Sequence, residues 1–332
     1  MLLVARIASR SSAPALDRRA LAEKVRRVAA AEGCELGPRL QPLWGGYGDL
    51  WRAELTRAGK ISSVIVKDVR PPAVDGGVAH RRKLRSYRVE QVFYERYAAR
   101  CDDACRVPRA LGLGAEQGMF LSVLEDLDAA GFAGRRSRVD ATELSAVLGW
   151  LAAFHAAFLG QSPDDLWKVG TYWHLATRPD ELARLERPLL RKAAGGIDAR
   201  LNSARFRTFV HGDAKLENVC FAPGGRVALV DFQYVGGGVG VKDVAYFLSS
   251  CLSPAECAAL IPGHLDQYFG ALRAALATRY APVELDALEH EWRELFPLAW
   301  VDFYRFLLGW APGRCDPDPF SDALVAQVLR AS

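Results

Sequence analysis

The stretch "FVHGDAKLENVCF", residues 209 to 221, sets His211, Asp213, Lys215, Glu217 and Asn218 between the apolar residues Phe209, Val210, Val219 and Phe221. Charged and amide side chains in such company are costly unless something pairs with them. They either cap a tight loop or hold a ligand. The residues that follow bear on the choice. "VCFAPGGRVALVDFQ" places a Pro223-Gly224-Gly225 turn between two apolar runs. Runs joined in this way pair as a hairpin, which brings its two ends, Asn218 and Asp231, together. An amide oxygen beside a carboxylate is a hard-oxygen site. Mg2+ takes such sites with one or two protein ligands, phosphate oxygens and water. Asp213, a few residues upstream, then faces the substrate side and can orient a hydroxyl or accept its proton.

A site of this kind suits phosphoryl transfer, where positioning and charge neutralisation do most of the catalysis. The spacing Asp213-x-x-x-x-Asn218, followed by Asp231-Phe232-Gln233, matches a kinase catalytic loop with its metal aspartate. Residues upstream supply what the chemistry needs. "ISSVIVKDV" reads as a β-branched strand that delivers Lys67 for phosphate contact. In "KLRSYRVEQVFYERYAAR", Glu90, Phe93, Tyr94 and Tyr97 share one helix face, with Arg88, Gln91, Glu95 and Ala99 opposite. An acid on the inward face calls for a cation, and Lys67 is its natural partner. "WGGYGDLW" places Gly45, Gly46 and Gly48 where backbone amides can approach phosphates. "VLEDL", with Glu125 and Leu127, offers backbone groups for an adenine edge.

The order of elements predicts an α+β, bilobal fold. Residues 1–37 read as an N-terminal helical extension. Residues 38–126 form a small antiparallel-sheet N-lobe, and residues 127–332 a larger helical C-lobe. Long helices are expected over 140–205 and 254–330, interrupted at "SPDD", "AAGG" and "APGRCDPDP". The apolar run Leu144–Gly160 falls short of the ~20 residues that cross a bilayer. Asp140 and Glu143 precede it at capping-box spacing. It reads as a buried helix, with no membrane span, and His155 within it as a core histidine. The stripe Trp292, Phe296, Trp300, Phe303, Tyr304 has helical spacing and reads first as packing. The alternative is an aromatic substrate pocket for a quaternary amine or a sterol-like alcohol, with Asp302 adding charge. "YVGGGVGV", residues 234 to 241, reads as a tight turn, or else as a flexible segment near the substrate.

The net charge of +4 is too mild to make nucleic acid the main partner, and the basic run His80–Arg88 reads as a solvated helix face. Seven scattered cysteines without a C-x-x-C pair fit a reducing, cytoplasmic setting. Cys101 and Cys105 read as ordinary thiols. The first twenty residues carry no acid before Asp17, which also fits an organellar transit peptide or a frayed Ala-rich start.

These motifs, in this order, resemble the aminoglycoside phosphotransferase and choline kinase superfamily, the small-molecule branch of the protein-kinase-like fold, over roughly residues 40 to 310. "FVHGDAKLEN" is similar to its H-G-D-x-x-x-x-N loop and "VLEDL" to its hinge. "LAAFHAAF" is similar to the helix beside the loop, and "KDVAYFL" to its D-[LV]-A segment. The "DFQ" triplet resembles the ecdysteroid-kinase-like (CHK-like) branch. The resemblance implies an ATP- and Mg2+-dependent kinase for a small-molecule hydroxyl acceptor. It gives Asp213 as base, Lys215 as a γ-phosphate contact, and Asn218 and Asp231 as metal ligands. Lys67 would hold the ATP phosphates, paired with Glu90, and His211 and Asp243 would be structural. H-G-D in place of H-R-D, and no following A-P-E, count against a protein kinase. A nucleotide-binding pseudokinase or scaffold is the other alternative, opposed by the complete set of site residues. Whether the acceptor is an amino alcohol, sugar-like or sterol-like stays open, as does oligomeric state.

Overall fold

The computed structural model describes residues 17–72, 76–312 and 318–331. The transit-peptide-like start before Asp17 and Cys315 lie outside the described residues. The chain divides into two compact units: Met1–Gln91 with Pro108–Ala130, and Val92–Val107 with Gly131–Ser332.

Unit 1 is built on one antiparallel sheet. Its strands are β1 (Gly33–Pro42), β2 (Gly48–Arg57), β3 (Lys60–Val69), β4 (Ala110–Glu116) and β5 (Met119–Glu125), in the order β1-β2-β3-β5-β4. Strand alternation gives the sheet two apolar faces. Val64 and Val66 of β3 join Trp51, Leu55, Leu121 and Val123 in a core closed by Leu21 and Val25 of helix α1 (Arg18–Val28). Asp17 caps α1 by accepting from the Arg19 and Ala20 amides. On the other face Val69 packs with Leu43, Tyr47 and Tyr87, the last from helix α2 (Val78–Val92). Lys67, one pleat from Val69, therefore turns toward α2.

Two expectations are corrected in this unit. The segment before residue 38 is not helical throughout. Its helix ends at Val28, and β1 begins at Gly33, because that stretch pairs with Thr56 to Ala53 of β2. Gln91, assigned to the solvent side of its helix, is buried. Its amide donates to the Gly114 and Leu121 carbonyls, so the neighbouring strands cover this face as well.

Unit 2 is mostly helical. Its helices are α3 (Ala141–Phe158), α4 (Pro179–Ala183), α5 (Pro188–Asn202), α6 (Val241–Cys251), α7 (Pro254–Leu276), α8 (Pro282–Trp310) and α9 (Pro319–Ala331). Two short pairings sit among them: β6 (Thr208–Val210) with β9 (Gly236–Gly238), and the hairpin β7 (Val219–Ala222) with β8 (Arg226–Leu229). The α+β division into a sheet-bearing N-terminal part and a larger helical part is as expected.

Helix α3 is the one helix, among the described residues, long and apolar enough to cross a membrane by length and composition. It carries the expected Asp140/Glu143 capping box and buries Trp150, Leu151, Phe154 and His155 in the core of unit 2. "AAGG" does not interrupt the helices: Ala193 to Gly196 lie inside α5.

The glycine-rich segment is neither a turn nor a loose loop. Residues 235–241 are all buried, and Gly236–Gly238 pair as a strand with Val210 to Thr208. A Cβ on Gly236 would stand 2.1 Å from the Trp167 carbonyl oxygen, and one on Gly237 would stand 2.8 Å from that of Lys168. The glycines let two backbones pass at a distance that a side chain forbids.

Candidate active site

In unit 1, Lys67 Nζ donates to both Glu90 carboxylate oxygens, at 2.9 and 2.7 Å. Both groups are buried, so each removes most of the other's desolvation penalty. The glycine turn lies at the start of β2. Gly45 and Gly46 have φ of 73° and 78°. Around them Tyr47 hydrogen-bonds His80 at 2.7 Å. Glu125 and Leu127 sit at and beyond the end of β5. The Glu125 amide is already committed to the Arg109 carbonyl at 2.8 Å, and its carboxylate accepts the Arg109 amide at 3.0 Å. Leu127 is buried.

In unit 2 the motif His211 to Asn218 forms one connected loop after β6. Gly212 takes φ 78°, and a Cβ there would lie 2.3 Å from the Tyr234 carbonyl oxygen, so only glycine fits. The Asp243 carboxylate, in the first turn of α6, accepts the His211 amide at 2.5 Å and the Gly212 amide at 2.9 Å. His155 Nε2 donates to the same carboxylate at 3.1 Å, and its Nδ1 meets the Tyr268 hydroxyl at 2.8 Å. Asp243 thus fixes the loop, and α3 and α7 fix Asp243. His211 ties the loop to the hairpin. Its Nε2 lies 3.1 Å from the Val230 carbonyl, and its Nδ1 takes the Asp213 amide at 3.2 Å. A ring that donates at one nitrogen and accepts at the other is neutral. Burial, which pushes its pKa down against nearby Asp243, works in the same direction.

Asp213 Oδ2 accepts the Asn218 side-chain amide at 3.0 Å and lies 3.5 Å from Lys215 Nζ. Its Oδ1 accepts the Tyr246 hydroxyl at 3.3 Å. Burial raises the Asp213 pKa to about 6, with Asp231 adding to the rise and Lys215 and Asn218 opposing it. The Lys215 pKa is also raised: burial lowers it, but the carboxylates of Asp213, Asp231 and Glu217 outweigh that. The hairpin behaves as its sequence predicts. Val219 pairs with Leu229, and the Val230 amide donates to the Asn218 carbonyl at 3.1 Å, which sets Asp231 beside Asn218. Asp231 adopts φ 71°, a left-handed conformation rare for a residue with a side chain. Gln233 holds it there by donating to Oδ1 at 2.7 Å. Strain of this kind persists where the surroundings over-determine it, often at functional positions.

The structure thus brings Asp213, Lys215, Asn218 and Asp231 together in unit 2, and Lys67 with Glu90 in unit 1. Asp302 does not serve the aromatic pocket considered above. It is fully buried between Arg305 at 2.6 Å and Lys242 at 3.3 Å. Trp292, Phe296, Trp300, Phe303 and Tyr304 are buried as well, which makes the stripe packing. Two residues at the site went unnoticed in the sequence: Tyr172 and Tyr246. A signal for one of them existed. Asp243, Tyr246 and Ser250 fall at i, i+3 and i+7 of α6, one polar face. All three bond the loop, Ser250 through its hydroxyl to the Leu216 amide at 3.2 Å.

These features define a phosphotransferase of the kinase-like kind. Residues 39–282 match the family model described as "Phosphotransferase enzyme family", APH. The chain belongs to that family of phosphotransferases. The match names no branch within the family, the CHK-like branch included. A comparison with curated proteins finds no match. Solved structures resemble it at low identity. A microcompartment-associated aminopropanol kinase is 13% identical, with 93% of each chain covered and a TM-score of 0.50. An aminoglycoside phosphotransferase from Alicyclobacillus acidocaldarius is 18% identical, covering 98% of this chain and 95% of its own, with a TM-score of 0.46. The aminoglycoside phosphotransferase APH(4)-Ia, in its complex with ADP and hygromycin B, is 15% identical over 90% of this chain and 99% of its own, with a TM-score of 0.43.

Proposed function

We propose that the protein transfers the γ-phosphoryl group of ATP to a hydroxyl of a small-molecule acceptor, with Asp213 as the base. The observation that carries this reading is the buried Asp213 carboxylate on a loop braced by Asp243, next to Asn218 and Asp231. The Asp213 carboxylate orients the acceptor hydroxyl and takes its proton as the oxygen–phosphorus bond forms. The bond from the γ-phosphorus to the β–γ bridging oxygen breaks, and ADP leaves. Lys67 holds the nucleotide's phosphates, and Glu90 keeps the lysine charged and extended. The amides of Gly45, Gly46 and Gly48 approach those phosphates. Lys215 offsets charge on the transferring group.

The donor set fits Mg2+. Asn218 spends its amide nitrogen on the Asp213 carbonyl and carboxylate, which leaves a carbonyl oxygen beside the Asp231 carboxylate. Among the described residues no three or more His, Cys, Asp or Glu side chains converge as a metal cage. Two oxygen ligands with phosphate completing the shell is what Mg2+ favours. When bound, the ion neutralises phosphate charge and aligns the transfer. The polar phosphotransfer site gives no preference among amino-alcohol, sugar-like and sterol-like acceptors.

The test is direct. Purified protein with γ-labelled ATP, Mg2+ and a small-molecule extract should yield a labelled metabolite, and a chelator should abolish it. Label in protein alone would instead favour a protein kinase. Binding of Mg·ATP, read as thermal stabilisation, with no labelled product from any extract would favour a pseudokinase.

A further inference from the structure

The two oxygens of Asp213 are not equivalent. Oδ2 carries two partners, the Asn218 amide at 3.0 Å and the Lys215 ammonium at 3.5 Å. Oδ1 carries one among the described residues, the Tyr246 hydroxyl at 3.3 Å. A carboxylate oxygen offers about two acceptor sites, so Oδ1 keeps one open. The bond is long, as catalytic hydrogen bonds often are before substrate arrives.

Tyr246 itself is held firmly. Its ring packs against Phe303 at 4.6 Å and Trp173 at 4.9 Å between centroids. Trp173 is anchored in turn, because its indole N–H donates to the buried Asp302 at 3.1 Å. The Tyr172 ring packs edge-on against that of Tyr246, with centroids 5.5 Å apart. An ionised carboxylate only accepts, so Tyr246 gives its single proton to Asp213. Both phenols stay protonated, since burial and the nearby Asp213 charge push their pKa values up.

We propose that Tyr246, backed by Tyr172, is a positioning residue that fixes the Asp213 carboxylate through Oδ1 and leaves the open site on that oxygen as the landing point for the acceptor hydroxyl. The proposal rests on the assignment of Asp213 as base. It adds two residues, from α6 and from the loop before α4, that the catalytic motif does not contain. Their effect falls on the chemical step, because they orient the base and hold no part of the nucleotide.

Two readouts on the full-length protein test it. Isotope-edited infrared spectroscopy, without any ligand and well above neutral pH, identifies the Asp213 carboxylate band as the one lost in Asp213→Asn. That band should shift in Tyr246→Phe and shift less in Tyr172→Leu, which removes the ring packed against Tyr246. In the labelled-ATP transfer assay, Tyr246→Phe should lower kcat roughly tenfold, the loss of one hydrogen bond to a charged group. Its KM for Mg·ATP should stay within about twofold of wild type. An unmoved band overturns the proposal, and so does a moved band with unchanged kcat. Should Tyr246→Phe fail to fold, Tyr172→Leu carries the same test. Failure of the base assignment looks different: Asp213→Asn then transfers label at the wild-type rate, while the infrared band still reports whether Tyr246 holds Asp213.

Discussion

Two glycine-rich stretches, Gly45 to Gly48 in unit 1 and Gly236 to Gly240 in unit 2, look alike in sequence and differ in physics. Gly45 and Gly46 are glycines for conformation. Both have positive φ, and a Cβ on Gly46 would meet nothing within 4 Å. Gly236, Gly237, Gly238 and Gly240 are glycines for space. None of them has positive φ, yet a Cβ on Gly236 would sit 2.1 Å from a carbonyl oxygen. A Cβ on Gly240 would reach within 2.6 Å of Trp292, Tyr268 and the His155 ring. Gly48 shares both reasons. It has φ 129°, and its Cβ would lie 2.0 Å from the Asp68 carbonyl oxygen where β2 pairs with β3. An open glycine turn can serve a ligand. A closed one serves the fold, and it supports the site by holding what lies beside it.

The largest effect is expected at Gly236→Ala. The methyl group meets the Trp167 backbone, so β9 must move away from that segment, and Val210, which pairs with Gly236 and leads into the catalytic loop, is disturbed with it. Thermal denaturation should show unit 2 destabilised by about 3 kcal/mol or more. A melting temperature equal to wild type would break the comparison. Gly240→Ala should come next, at about 1–3 kcal/mol, because the atoms it meets belong to side chains and can yield in part. Those side chains include His155, which holds Asp243. A drop in kcat should therefore accompany the loss of stability, visible in transfer assays well below the melting range. Gly46→Ala should cost least in stability, about 1 kcal/mol for an L-residue at positive φ. Its larger effect should be a several-fold rise in KM for Mg·ATP with kcat nearly unchanged. An unaltered KM would remove this turn from the phosphate site and leave it a simple hairpin.

The same contrast explains what the sequence made legible. Features set by short loops and by period were readable. The six residues from Asp213 to Asn218 and the Gly224-Gly225 hairpin specify their own geometry, as does the Asp140/Glu143 capping box. The pairing of Lys67 with Glu90 followed from a strand alternation and a helix face. Features set by tertiary cover were not readable. Gln91 looked solvent-facing because periodicity assumes that a helix is covered on one side, whereas strands also reach its amide. Asp302 looked available because Arg305 and Lys242, one of them sixty residues away in sequence, could not be assigned to it in advance. Gly236 to Gly240 looked loose because the residues that crowd them, Trp167, Lys168, His155 and Trp292, come from three other parts of the chain. Tyr172 approaches Tyr246 across more than seventy positions, which no local pattern predicts.

The most direct test of the account replaces Asp213 with asparagine. The amide keeps the shape of the carboxylate and cannot take a proton from the acceptor. With Mg·ATP and the labelled acceptor, turnover should fall roughly 10²–10⁴-fold, the range for removing a general base. Thermal stabilisation by Mg·ATP should persist, since Lys67, Glu90 and the metal ligands are untouched. An Asp213→Asn protein that transfers phosphate at the wild-type rate would contradict the assignment of the base, and with it the mechanism.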